Sequence, residues 1–224
     1  SLAKQTKMSA VPSSPELTST RSPTPVELPP RIEGKLNVLF GVSGSVAAIK
    51  TKPLIDLLAP HVQLVIVSTK NALHFWQFED AERVNIPVYL DELEWSSWQK
   101  IGDPVLHIEL RRWADVYLVA PLSANTLAKL ANGISDNLLT CTARAWELRA
   151  KPFLVAPAMN THMWTHPLTE RHLALLQEIG IIIIPPVAKV LACGDTGVGA
   201  MAHVDTIANL VLAYGDTQGK STSD

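Results

Sequence analysis

Several short runs in this chain are apolar at nearly every position rather than at alternate ones: Leu36-Asn37-Val38-Leu39-Phe40, Val62-Gln63-Leu64-Val65-Ile66-Val67, Val116-Tyr117-Leu118-Val119-Ala120, Phe153-Leu154-Val155-Ala156 and Ile181-Ile182-Ile183-Ile184. A strand of that pattern is apolar on both faces, so it belongs in a parallel sheet covered by helices on both sides. Helical spacing occupies the stretches between and after them, at 46–58, 123–131, 136–148, 167–179 and 204–214. The alternation predicts an α/β domain, a three-layer, doubly wound parallel sheet of the Rossmann-like or flavodoxin-like kind. Ligands of such sheets bind beyond the carboxyl ends of the strands, so the residues just after each strand are the ones to read for chemistry.

Residues 1–33 carry Ser, Thr and Pro (Pro12, Ser13, Ser14, Pro15, Ser22, Pro23, Pro25, Pro29, Pro30) with no apolar period. Such a segment cannot bury enough apolar surface to offset its ordering entropy and is expected to be a disordered leader. One domain is expected over 34–215, with a polar tail over 216–224. The chain opens on Ser1, and Met8 could open the natural protein. Its 224 residues, 47% of them hydrophobic, suffice for one sizeable core. A formal charge of -2 without a basic stripe argues against nucleic-acid or membrane-surface partners. The apolar runs fall far short of the ~20 residues that span a bilayer, and the first residues lack a secretory pattern. With only Cys141 and Cys193, free thiols and a cytoplasmic location are expected.

After the first strand comes Gly41-Val42-Ser43-Gly44-Ser45-Val46. Small residues before a helix let backbone N–H groups approach a phosphate, although a tight structural turn would look the same. The second strand ends in Ser68-Thr69-Lys70-Asn71, with no carboxylate of the kind that reads a nucleotide ribose, so an anionic or flavin contact suits it better than a dinucleotide. Pro121-Leu122-Ser123-Ala124-Asn125-Thr126 follows the third strand; one of its polar residues would suffice as a helix cap, and the surplus favours a second phosphate or ring-edge contact. Ala158-Met159-Asn160-Thr161 lies between Pro157 and Pro167, which fix the loop's path, either for packing or to hold a side chain at a substrate. Cys193 stands in a run with Gly194, Gly197 and Gly199; a proton-donating thiol there would need partial exposure and a nearby charge, and an inert thiol needs neither. His107 is either a half-exposed helical histidine sharing a face with Arg111 or a base near substrate.

Taken in order, Ser43–Lys50, Glu94-Trp95-Ser96-Ser97-Trp98, 103–115, 120–126, 136–146, 157–164 and 191–202 resemble the homo-oligomeric flavin-containing cysteine decarboxylases, in their phosphopantothenoylcysteine decarboxylase branch of plant and animal halotolerance-type proteins. The resemblance implies an FMN enzyme that converts phosphopantothenoylcysteine to phosphopantetheine in coenzyme A biosynthesis. It implies flavin contacts at Gly44, Ser45, Val46, Thr69, Lys70, Asn71, Ser123, Ala124, Asn125, Thr126 and Ala158. It assigns the catalytic base to His107, the catalytic cysteine to Cys193 and the substrate-binding asparagine to Asn160. Arg112 falls near the active site, and Val190, Ala192 and Met201 on a flap over the substrate. His203 departs from an acidic residue usual in relatives, with no physical account. A homotrimer is implied, with His107 reaching a neighbouring subunit's site. Some fungal relatives instead bind and inhibit a Ser/Thr protein phosphatase, often carrying a strongly acidic C-terminal run. This chain ends in Gly-Lys-Ser-Thr-Ser-Asp and holds all three chemical residues at once, so the enzyme is favoured. A peptidyl-cysteine decarboxylase would share the fold but is disfavoured by the plant-like and animal-like blocks.

Overall fold

The computed structural model of the chain describes residues 27–190 and 196–218. In chain order its elements are β1 (Asn37–Val42), a 3₁₀ turn (Val46–Lys50) running into α1 (Thr51–Leu58), β2 (Gln63–Ser68), a 3₁₀ turn (Lys70–His74), α2 (Glu79–Glu82), β3 (Val88–Tyr89), α3 (Asp91–Ser96), α4 (Leu106–Trp113), β4 (Val116–Leu122), α5 (Ala124–Ala131), α6 (Leu138–Arg144), β5 (Phe153–Pro157), α7 (Thr161–Trp164), α8 (Pro167–Glu178), β6 (Ile182–Ile183), β7 (Val187–Val190), β8 (Thr196–Ala200) and α9 (Val204–Gln218). Six strands form one parallel sheet in the order β3-β2-β1-β4-β5-β6, and β7 pairs antiparallel with β8. This is the doubly wound order expected of the alternation. Its direction reverses between β1 and β4, which opens a crevice beyond their carboxyl ends.

Every residue of β1, β4 and β5 is buried, as runs apolar on both faces require. Side chains alternate along each strand between two core layers. Val38, Phe40, Leu118 and Leu154 meet Leu54, Ile55 and Leu58 of α1 and Ile207 and Val211 of α9. Leu39, Tyr117, Val119 and Phe153 meet Leu110 and Trp113 of α4, Leu127 of α5, Leu139 of α6 and Leu176 of α8. Each fully buried Leu, Ile or Phe contributes about 1.5–3 kcal/mol. Tyr117 stacks on Phe153 with ring centroids 4.5 Å apart, and its hydroxyl donates to the Leu139 carbonyl at 2.9 Å.

Several boundaries differ from the sequence reading. α6 covers only Leu138–Arg144, because Asn137 and Thr140 form a reciprocal capping box that starts it after Asp136. The isoleucine run yields a two-residue strand at the sheet edge. α9 continues to Gln218, into residues read as tail. Of the segment read as leader, 27–33 lies against the body: Trp113 Nε1 donates to the Pro29 carbonyl at 2.8 Å, and the Arg31 guanidinium grips Asp115 at 2.7 and 2.9 Å. A buried indole and a carboxylate thus hold backbone that composition alone marks as loose. Residues 1–26 and the end of the tail, 219–224, lie outside the described residues.

Candidate cofactor and substrate site

Ser43 joins the two strands that flank the crevice. Its hydroxyl donates to the Pro121 carbonyl at 2.7 Å and accepts the Ser123 N–H at 2.8 Å, all of it buried. The ends of β1 and β4 are thereby locked side by side. Gly44 follows, and a Cβ there would lie 2.7 Å from Asn71 Cβ, so only glycine lets the turn after β2 close on the turn after β1. Ser45 caps the first 3₁₀ turn by accepting from Ala47 N–H and donates to the Ala158 carbonyl at 3.2 Å, tying in the end of β5. Val46 is exposed beside it.

These turns enclose a cleft of about 310 Å³ lined by Gly44, Thr69, Lys70, Asn71, Ser123, Asn125 and Thr126, together with Asp91, Lys129, Asp136 and Asn137. The size falls at the lower end of cofactor sites, roughly 300–1,000 Å³. Ser123 caps α5 by accepting from Thr126 N–H at 3.2 Å and donates to Thr126 Oγ1 at 3.1 Å. Both side chains are buried, and both line the cleft, so Ser123 is a helix cap that also stands on the cleft wall. Ala124 and Asn125 form the first turn of the eight-residue α5, whose leading N–H groups face an anion-favouring end. The cleft's two carboxylates are engaged: Asp136 with Lys129 Nζ at 2.7 and 2.8 Å, and Asp91 with the Leu138 N–H at 2.9 Å. Burial raises the Asp91 pKa, helped by Glu92 and Asp136, against the Leu138 N–H and Lys129. Nothing in the sequence pattern marks Asp91 or Asn137 as cleft residues. Lys129 could have been found, since it stands four residues beyond Asn125 on one helical face.

Asn160 opens α7, and its Oδ1 accepts the His162 N–H at 2.8 Å. β8 runs directly over this loop. The Met159 N–H donates to the Gly199 carbonyl at 2.9 Å, and a Cβ on Gly199 would lie 2.4 Å from the Met159 carbonyl oxygen. A Cβ on Gly197 would lie 2.5 Å from Thr161 Oγ1. Of the three glycines read as marks of a turned loop, Gly197 and Gly199 are therefore sites of close contact with the Asn160 loop, and Gly194 lies outside the described residues. Val190 ends β7, and Ala192 and Cys193 lie outside the described residues. Met201 follows β8 with its side chain 1% exposed in the core; its backbone carbonyl accepts from Lys50 Nζ at 3.5 Å.

His107 lies in the first turn of α4, away from the cleft lining. Its Nδ1 lies 2.5 Å from Glu94 Oε1, and its backbone N–H donates to Glu94 Oε2 at 3.1 Å. Sequence reading noted the run containing Glu94 without giving it a role. Arg112 is exposed and pairs with Glu109 at 2.7 Å; Arg111, on the His107 face, pairs with Glu147. Among the described residues no three His, Cys, Asp or Glu side chains cluster as a metal site. No helix of the described residues is long and apolar enough to cross a membrane.

A parallel sheet with a polar cleft at its switch point, closed by Gly44 and the start of α5, and a second loop held under a hairpin, is the build of a flavin-binding α/β protein. The chain belongs to the Flavoprotein family, whose profile matches residues 27–214, and within it to the phosphopantothenoylcysteine decarboxylases. An Arabidopsis thaliana protein described as a probable phosphopantothenoylcysteine decarboxylase is 53% identical over 190 residues, 85% of this chain and 94% of the relative. A solved mutant PPC decarboxylase complexed with pantothenoylaminoethenethiol superposes with a TM-score of 0.78 at 54% identity, covering 81% of this chain and 99% of the other. The FMN binding protein AtHal3 superposes with a TM-score of 0.76 at 55% identity, covering 82% and 98%.

Proposed function

We propose that this chain is an FMN-dependent decarboxylase whose substrate is phosphopantothenoylcysteine and whose product is phosphopantetheine, a step of coenzyme A biosynthesis. The observation that carries the reading is the single cleft that gathers Gly44, Thr69, Lys70, Asn71, Ser123, Asn125 and Thr126 from three strand ends. The residues fit the group. Helix N–H groups and Lys70 suit a phosphate, and the amides and hydroxyls suit a ring edge. Ser45, Val46 and Ala124 stand on the same turns, and Ala158, just after β5, is tied to Ser45 by the bond from its hydroxyl.

A carboxylate next to an ordinary saturated carbon does not leave readily, because nothing stabilises the electron pair left behind. Bound FMN would supply a two-electron acceptor that makes the substrate thiol a thioaldehyde, and would return the electrons at the end. The carboxylate is then β to a thiocarbonyl that can take up the pair as an ene-thiolate when carbon dioxide departs. His107 would handle the proton and orient the substrate during these steps. Asn160 would hold the substrate carboxylate; its Oδ1 accepts the His162 N–H. Cys193 would protonate the ene-thiolate, Val190, Ala192 and Met201 would contact the substrate, and Arg112 would serve the same site.

We also propose a homotrimer in which His107 serves a neighbouring subunit. Exposed apolar residues on the stretch leading to it support this: Trp95 is 79% and Ile101 95% exposed, and Trp98 and Val105 are exposed as well. Cys141 is a free thiol, which suits the cytoplasm.

The test is incubation of the purified yellow protein with phosphopantothenoylcysteine, followed by mass spectrometry. Loss of carbon dioxide to give phosphopantetheine is expected. An untouched substrate would overturn the reading and direct attention to a phosphatase partner. Cys193→Ser is expected to release carbon dioxide and stall at the ene-thiol, whereas His107→Asn should bind FMN and release none.

A further inference from the structure

Glu94 spends both carboxylate oxygens on one residue. Oε2 accepts the backbone N–H of His107 at 3.1 Å, and Oε1 meets the ring Nδ1 at 2.5 Å. The Glu94 side chain is 9% exposed and that of His107 25%. The backbone bond is a helix cap supplied from outside: the residue preceding α4, Val105, makes no side-chain cap, and Glu94 satisfies one of the N–H groups left open at a helix start. Capping alone needs one oxygen. The second bond acts on the imidazole. An ionised carboxylate can only accept, so in a neutral imidazole the nitrogen facing Oε1 is the one that carries the proton, Nδ1, and the lone pair falls to Nε2.

We propose that Glu94 is the positioning residue of this enzyme, holding His107 in the Nδ1–H tautomer so that Nε2 is the proton acceptor. This rests on the reading of His107 as the group that handles the substrate proton. α3 also links the pair to the cofactor cleft. Asp91 stands three residues before Glu94, on the same helical face, and its carboxylate accepts the Leu138 N–H at the start of α6 on the cleft wall. One short helix thus fixes the cleft wall through Asp91 and the base through Glu94. Cys141 on α6 is within electrostatic reach of Glu94, and of Asp91 and Asp136 besides. Burial raises the Cys141 thiol, with Glu94, Asp91 and Asp136 adding to the rise.

Glu94→Gln separates the two bonds. The Gln carbonyl can still accept the His107 N–H, but its NH₂ can only donate to the ring, which favours a bare Nδ1 and a proton on Nε2. The holoenzyme is compared by ¹⁵N NMR of the His107 imidazole and by steady-state decarboxylation of phosphopantothenoylcysteine. Wild type is expected to show the Nδ1–H tautomer. The Gln variant should keep wild-type FMN content and assembly, move to Nε2–H and lose roughly 10²-fold in kcat with little change in KM. Glu94→Asp, which keeps the charge, should recover part of the rate. An Nε2–H tautomer in the wild-type protein overturns the proposal without any variant. So does wild-type kcat in Glu94→Gln, or a fall in kcat with no change of tautomer. Wild-type turnover by His107→Asn would remove the role of His107 itself, a failure of the underlying reading that is distinct from a failure of Glu94.

Discussion

The Ser43 hydroxyl accepts the backbone N–H of Ser123 at 2.8 Å across the switch point of the sheet. The same oxygen donates to the Pro121 carbonyl at 2.7 Å, so one small buried side chain satisfies two backbone groups that water cannot reach. Ser43→Ala leaves the Ser123 N–H without that partner, while the Pro121 carbonyl keeps the Ser43 N–H at 3.4 Å, at a cost of about 1–3 kcal/mol. For a chain of this size a loss of 1 kcal/mol lowers Tm by roughly 2–4 °C. The turns that line the cleft are set by this bond, so FMN titration of the variant should show weaker binding as well as the lower Tm. A variant with lowered Tm but wild-type FMN affinity would mean that the turns hold their shape without Ser43.

Gly199 has φ +139°, and a Cβ there would lie 2.4 Å from the Met159 carbonyl oxygen. Backbone cannot move aside as a long side chain can. Gly199→Ala should therefore push β8 away from the Asn160 loop. The cofactor cleft lies elsewhere, beyond β1 and β4. FMN content should stay at the wild-type value while kcat/KM for phosphopantothenoylcysteine falls by about tenfold or more, consistent with the cost of a small misplacement of substrate-holding groups. Loss of FMN in step with activity would show that the clash propagates through the sheet.

Tyr117 is fully buried, and burial, with a smaller effect of Cys141, pushes its hydroxyl pKa well above the ordinary value. It acts as a neutral donor to the Leu139 carbonyl at 2.9 Å while its ring stacks on Phe153. Tyr117→Phe keeps the stacking and removes one hydrogen bond. The expected loss is about 0.5–1.5 kcal/mol, read by urea denaturation, with FMN binding unchanged. A loss several times larger would mean that the hydroxyl fixes α6 against the sheet, and through it the cleft wall.

The sheet was legible because its strands are buried on both faces and so advertise themselves as continuous apolar runs. The turns after them were legible as candidates only, since a tight turn or a helix cap asks for the same small and polar residues, and Ser45 and Ser123 do cap their helices. What the chain order hides is everything that arrives from a distance. Asp91 and Asn137 reach the cleft only because α3 and α6 pack against one another, and no local periodicity reports that. Glu94 is thirteen residues from His107 in the chain; its role appears only when two helices meet. The glycines at 197 and 199 were visible as glycines, but their reason, contact with Thr161 and Met159, belongs to tertiary packing. The short extent of β6 follows from its edge position, where Ile182 is partly solvent-facing despite its apolar run.

Asp91 offers a test of how the cleft wall responds to pH. Burial raises its carboxyl pKa above the ordinary 3.8, with Glu92 and Asp136 adding and the Leu138 N–H and Lys129 opposing. The folded protein then binds this proton more tightly than the unfolded chain does. The sign follows from linkage: stability from this group is greatest at low pH and is lost as pH rises from the unfolded value through the raised folded one. Asp91→Asn removes the charge and keeps an Oδ1 to accept the Leu138 N–H, so the cap of α6 persists. The variant should therefore be at least as stable as wild type at pH 7. Its advantage should shrink as pH falls toward 3.8, where wild-type Asp91 becomes neutral in the folded state first. Denaturant melts of both proteins across this range measure the difference directly. An advantage that grows on acidification would mean that the attraction of Lys129 and the Leu138 N–H outweighs desolvation, and that Asp91 is held as a charge in the cleft wall.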